Sequence, residues 1–209
     1  MNSLFAEFAK FMWGPWMLIL LLGTGLWLSI CLRGIQIRRL AYAFQLTFSK
    51  ERDGDGDISH FGSLMTSLAA TVGTGNIAGV STAVALGGPG AIFWMWVTGL
   101  VGMATKYAEG FLAIKYRDVN KHGEISGGPM YYLEFGLKQK WLGILFAIFG
   151  ALAAFGIGNM IQSNTIASSL SKTLGTNDFL VGVILAFLTA MVVLGGIKRI
   201  ARITSYFVP

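Results

Sequence analysis

Five apolar stretches, near residues 14–32, 62–86, 91–114, 141–169 and 178–196, punctuate this chain, and short polar segments carrying Lys and Arg separate them. Each has about the 20 residues a helix needs to cross the hydrocarbon of a bilayer. A sixth stretch begins at Ile203 and is cut off at Pro209. This pattern predicts an all-α integral membrane protein with five transmembrane helices and the start of a sixth. The second stretch is rich in Gly, Ala, Ser and Thr rather than Leu. Small residues of that kind let helices approach closely, so this span is expected inside a bundle.

Composition agrees with lipid as the solvent. Apolar residues make up 54% of the chain and charged residues 12%, against roughly a quarter charged in soluble domains. The net charge of +6 does not point to nucleic acid, which needs a basic face on a soluble domain. Topology explains it. Arg33, Arg38, Arg39, Lys50 and Arg52 fall in one segment, Lys115, Arg117, Lys121, Lys138 and Lys140 in another, and Lys198, Arg199 and Arg202 at the end. Only Lys10 and Lys172 lie on the opposite side. The positive-inside rule then puts the N-terminus outside and the three basic segments in the cytoplasm. No A-x-A cleavage pattern follows Trp16–Leu32, so that stretch reads as a retained helix rather than a signal peptide. Gln36–Phe48 mixes basic and aromatic residues, as does a helix lying on the membrane surface. Gly127-Gly128-Pro129 opens a second short element, Met130–Leu137.

Few residues offer chemistry. Cys31 stands alone, so no disulfide framework exists. Asp53-Gly54-Asp55-Gly56-Asp57 has the outline of a calcium loop and fails as one, because Ile58 and Leu64 occupy the positions needing Gly and Glu. His60 and His122 are loop residues without metal-ligand partners at useful spacing. Neither belongs to a nucleophile–base constellation, so an intramembrane enzyme ranks last among the readings. Lys106 and Glu109, at i, i+3 within the third stretch, read as a mutually neutralising structural ion pair.

The run Ala69-Ala70-Thr71-Val72-Gly73-Thr74-Gly75-Asn76-Ile77-Ala78-Gly79 is the informative one. Glycines flanking Thr74, each costing about 1 kcal/mol against Ala in a helix, predict a break. In hydrocarbon, freed N–H and C=O groups need polar partners. Carbonyls ending the first half-helix suit a cation and N–H groups starting the second suit a carboxylate. Close helix packing by small residues is the competing explanation of the same run. In the fourth stretch Asn159, Gln162 and Ser163 share one helical face, and Phe155 lies one turn earlier. They read as lining a cavity or as interhelical hydrogen-bonding groups.

These motifs, together with Gly56–Phe61, Gly87–Trp96, Gly102–Glu109, Ile125–Tyr132 and Gly158–Asn164, closely resemble the alanine/glycine:cation symporter family. The resemblance covers nearly all of the chain from about Phe48. It implies a LeuT-like fold of two inverted repeats with one extra helix in front, here residues 14–32. It also implies Na⁺-driven symport of alanine or glycine across the plasma membrane by alternating access, without a cofactor. By this similarity Ala69 and Val72 offer backbone carbonyls to Na⁺, and Thr71, Gly73, Thr74, Gly75 and Asn76 surround the substrate. Phe155, Asn159 and Gln162 are their counterparts on the fourth span.

Family members run to about eleven spans. The chain is therefore expected to be a single, incomplete transmembrane domain holding the first inverted repeat, about 62–209. Its second half would be missing, and transport by this chain alone is not expected. A non-transporting membrane scaffold or assembly subunit is the alternative.

Overall fold

The computed structural model describes residues 2–49, 58–119 and 125–209. The acidic run Asp53–Asp57, His122, and the basic residues Lys50, Arg52 and Lys121 lie outside the described residues. Each of the five apolar stretches is helical. Two helical stretches, Leu4–Cys31 and Lys140–Leu174, are long and apolar enough to cross a membrane. Two further candidates are bent pairs, His60–Thr71 with Gly75–Gly87 at 60° and Asp178–Val193 with Gly196–Phe207 at 116°. The helix over Pro89–Lys115 has 27 residues, about 40 Å at 1.5 Å per residue, but carries Lys106 and Glu109 within it.

The chain divides into two compact units. The first comprises Met1–Leu40 and Gly88–Ile148. It contains α1 (Asn2–Met12), α2 (Pro15–Cys31) and α3 (Ile35–Arg38), with α4 (Leu40–Phe48) starting at its edge. It continues with α7 (Pro89–Lys115), a two-residue antiparallel ladder, and α8 (Pro129–Tyr131), which runs on as a π-helical turn to Gly136. The first half of α9 (Lys140–Ala153) completes it. Its centre is the packing of α2 on α7. Gly25 and Ala104 are buried there. A Cβ on Gly25 would come within 2.5 Å of Val101 Cγ1 and 3.0 Å of the Val101 carbonyl oxygen. Small residues set the helix spacing, as van der Waals packing in lipid requires. Two Gly-Gly-Pro sequences start helices in this unit by one device. Gly88 and Gly128 take φ of 65° and 124°, which disfavour a side chain, and Pro follows at the first helical position.

The second unit comprises Ala41–Gly87 and Phe149–Pro209. It holds α5 (His60–Thr71), a π-helical turn Gly75–Gly79 leading into α6 (Val80–Gly87), and α10 (Ile161–Leu174), preceded by a π-helical segment Ala154–Met160. α11 (Asp178–Val193) and α12 (Gly196–Phe207) complete it. Ser59 caps α5 by accepting from the Gly62 N–H at 3.1 Å, and Asn177 caps α11 by accepting from the Phe179 N–H at 2.8 Å. α12 packs on α5 through Gly62, Met65 and Ala201, all buried. The Thr66 and Thr204 hydroxyls approach to 3.3 Å across that seam.

Ile203, where a sixth stretch was expected to begin, lies inside α12. α12 starts at Gly196, which follows the capping residue Gly195 and takes φ 68°. It alternates Ile197, Ile200 and Ala201 with Lys198, Arg199 and Arg202, the pattern of a helix with one apolar and one basic face.

Among the described residues no large side chain is fully buried, while Leu18, Leu20, Trp27, Phe149, Leu152 and Phe187 are all more than half exposed. So much apolar surface along helices is tolerable in lipid and not in water.

Candidate functional site

The second unit contains the predicted break. α5 ends where Val72 leaves the helix at φ −79°, ψ 117°, with its N–H still donating to the Leu68 carbonyl at 2.7 Å. An unbroken helix would turn the Gly73 and Thr74 N–H groups toward the carbonyls of Ala69 and Ala70. Here both donate to side chains. The Gly73 N–H donates to Asn76 Oδ1 at 3.0 Å, while the Asn76 N–H donates to the Gly73 carbonyl at 3.0 Å. This reciprocal pair makes Gly73 the cap of the second half-helix, in the manner of a capping box. The Thr74 N–H and the Thr74 hydroxyl both donate to Gln162 Oε1, each at 2.9 Å.

The break thus falls at Thr74 and the two residues before it, on the N-terminal side of the glycine-flanked threonine. Chain direction changes at Val72–Thr74, and Gly75 and Asn76 already belong to the π-helical turn that follows. The π-turn and α6 also turn hydroxyls onto their own carbonyls, Ser81 to Ile77 at 2.7 Å and Thr82 to Ala78 at 2.8 Å. Polar groups here are consumed locally rather than left open.

Of the predicted site residues, Gly73, Thr74, Asn76 and Gln162 come together. Thr71 and Gly75 adjoin them along the chain, though the Thr71 hydroxyl donates back to the Ser67 carbonyl at 2.8 Å. Phe155 and Asn159 lie on the π-helical segment before α10 and are exposed. Asn159 enters the bonding through its carbonyl, which accepts from Ser163 Oγ at 3.0 Å. Ala69 and Val72 are exposed at the end of α5. The break lies on an open face, since Thr71, Val72, Gly75 and Asn76 are exposed and only Gly73, Thr74 and Gln162 are half-buried. A hollow of about 340 Å³ in the same unit lies elsewhere, where Ser59, Gly62, Arg202 and Ser205 meet.

In the first unit, Lys106 Nζ lies 2.9 Å from Glu109 Oε2. A third member of this group escaped the sequence reading. Tyr132 is half-buried, and burial pushes its phenol above the ordinary tyrosine range. The Glu109 carboxylate pushes the same way and Lys106 opposes it. The signal available in sequence was the Gly-Gly-Pro-Met-Tyr-Tyr run, which fixes where Tyr132 falls on its turn. Among the described residues no three His, Cys, Asp or Glu side chains converge as metal ligands.

Comparison with protein families matches residues 1–209, the whole chain, to the sodium:alanine symporter family. The chain belongs to that family. Over 206 residues it is 59% identical to the sodium/alanine symporter AgcS of Methanococcus maripaludis, covering 96% of this chain and 46% of that protein. It is 51% identical over 209 residues to an uncharacterized transporter of Haemophilus influenzae, covering 100% and 46%. To the amino-acid carrier protein AlsT of Bacillus subtilis it is 39% identical over 208 residues, covering 100% and 44%. The chain thus spans about half the length of the curated relatives it matches. Its apolar helices are those of a membrane transporter family member.

Proposed function

We propose that this chain supplies the first half of a Na⁺-coupled symporter for alanine or glycine, working by alternating access in the plasma membrane with its N-terminus outside. The observation that carries the reading is the interrupted apolar pair α5–α6, broken at Val72–Thr74 with its freed backbone groups facing polar partners. Broken membrane helices place ions and zwitterions where backbone dipoles end. The Gly73 N–H is turned to Asn76, so the Ala69 carbonyl loses its next-turn donor, and the extended Val72 ends the helix beside it. These two carbonyls take Na⁺. Thr71, Gly73, Thr74, Gly75 and Asn76 surround the amino acid, with its carboxylate near Gly75 and Asn76. Phe155 walls the apolar side, and Asn159 offers a polar group from the same segment.

The fold of the whole carrier is LeuT-like, with the first inverted repeat spanning about 62–209. The half of the family's length beyond this chain completes the pocket and provides the body against which this repeat rocks. Membership in a symporter family and the 59% identity to a sodium/alanine symporter support this assignment.

The test joins this chain to the second half of a family member and measures binding of labelled alanine and glycine in lipid nanodiscs. Binding is expected only with Na⁺, and Asn76→Leu, which removes a polar group that faces the substrate, abolishes it. Binding that ignores both Na⁺ removal and Asn76→Leu overturns the proposal.

A further inference from the structure

We propose that Gln162 is a clasp that holds the helix break shut before substrate arrives, rather than a ligand of the substrate. Its amide oxygen accepts from both the N–H and the hydroxyl of Thr74, each at 2.9 Å. A backbone N–H bonds only an acceptor, so these contacts fix the amide's orientation. Its nitrogen then lies over Gly73, where an added Cβ would sit 2.7 Å from Nε2 and 3.0 Å from Oε1. Gln162 fits because residue 73 has no side chain. Asn76 meanwhile takes the Gly73 N–H. Both N–H groups at the turn are thus filled by neutral oxygens of the protein itself.

The consequence rests on the symport reading above. A substrate carboxylate arriving beside Gly75 also reaches the adjoining Thr74 and competes there with the Gln162 oxygen. Hydrogen bonds to an ionised acceptor are roughly twice as strong as neutral ones, so the carboxylate wins the exchange. Thr74 and Gln162 are 88 residues apart in sequence and sit on different helices. Exchanging one oxygen for another therefore unties α10 from the break at the moment of binding. Gln162 acts through Thr74 and is a positioning residue whose release links occupancy to helix movement.

The two possible roles of Gln162 give opposite signs. In this chain joined to the second half of a family member, Gln162→Met removes the acceptor at nearly constant volume. As a clasp, its loss raises alanine affinity roughly tenfold, because binding no longer breaks two neutral hydrogen bonds. The same variant lowers kcat, since bound substrate is released less readily, so KM and kcat fall together. Gly73→Ala keeps every polar group and displaces the amide by its Cβ, and it shifts affinity in the same direction. Hydrogen exchange at the Thr74 amide supplies an independent readout. Gln162→Met speeds it in the absence of substrate.

Weaker alanine binding by Gln162→Met, with wild type binding normally, makes Gln162 a substrate ligand and overturns the clasp alone. Thr74 exchange unchanged by Gln162→Met also overturns it. A well-folded wild type with no Na⁺-dependent alanine binding overturns the symport reading, and the clasp with it.

Discussion

Gly25 and Gly23 lie two residues apart on α2, and replacing each by Ala separates packing from helix propensity. Both substitutions gain the same intrinsic preference, about 1 kcal/mol in a helix interior. At Gly23 a new Cβ meets nothing within 4 Å. At Gly25 it meets Val101 Cγ1 at 2.5 Å, the Val101 carbonyl oxygen at 3.0 Å and Thr105 Oγ1 at 3.1 Å. The valine methyl can rotate away, but the carbonyl belongs to the backbone of α7 and cannot. The helices must separate by a few tenths of an ångström beside Ala104, which is wholly buried. Overpacking of this kind costs about 1–3 kcal/mol. Measured as reversible unfolding in mixed micelles, Gly25→Ala should fall below Gly23→Ala by that amount. Equal stabilities for the two variants would show that α2 does not rest on α7 through this glycine.

Two further outcomes follow from the first unit. A Cβ on Gly143 would lie 2.7 Å from the Met130 carbonyl oxygen, so Gly143→Ala should destabilise by about 1–3 kcal/mol in the same assay. Tyr132 should ionise above the ordinary tyrosine range because burial, then Glu109, raise it against the pull of Lys106. A native phenol that holds its proton longer than the unfolded one leaves stability unchanged below that range and subtracts from it as pH rises through and beyond it. Glu109→Gln should lower the phenolate midpoint and Lys106→Met should raise it, read by ultraviolet titration. A midpoint indifferent to both substitutions refutes the electrostatic grouping.

The apolar stretches were legible because a membrane helix advertises its length, and the interruption near Gly73 because glycines flanking a threonine stand out in such a helix. Its position was less legible. Val72 turns out of the helix because the Gly73 and Thr74 N–H groups have better partners in Asn76 and Gln162, and Gln162 lies 88 residues from Thr74. No local pattern announces a partner so far along the chain. The π-helical segment Ala154–Met160 was invisible for a related reason, since an extra residue in a turn leaves no compositional mark. α12 was misplaced because an amphipathic helix is only half apolar, and Gly195-Gly196 was read as the end of a span rather than a 116° corner. The helix Asn2–Met12 was not predicted because Glu7 and Lys10 interrupt its apolar residues. Phe5, Phe8 and Met12, three and four residues apart, carry its helical period.

The most direct test of the symport account is alanine uptake into proteoliposomes, using this chain joined to the second half of a family member. An inward Na⁺ gradient should drive accumulation above equilibrium, and collapsing that gradient should abolish it. Accumulation that persists without a Na⁺ gradient, or alanine that merely equilibrates with the gradient intact, would contradict sodium-coupled symport.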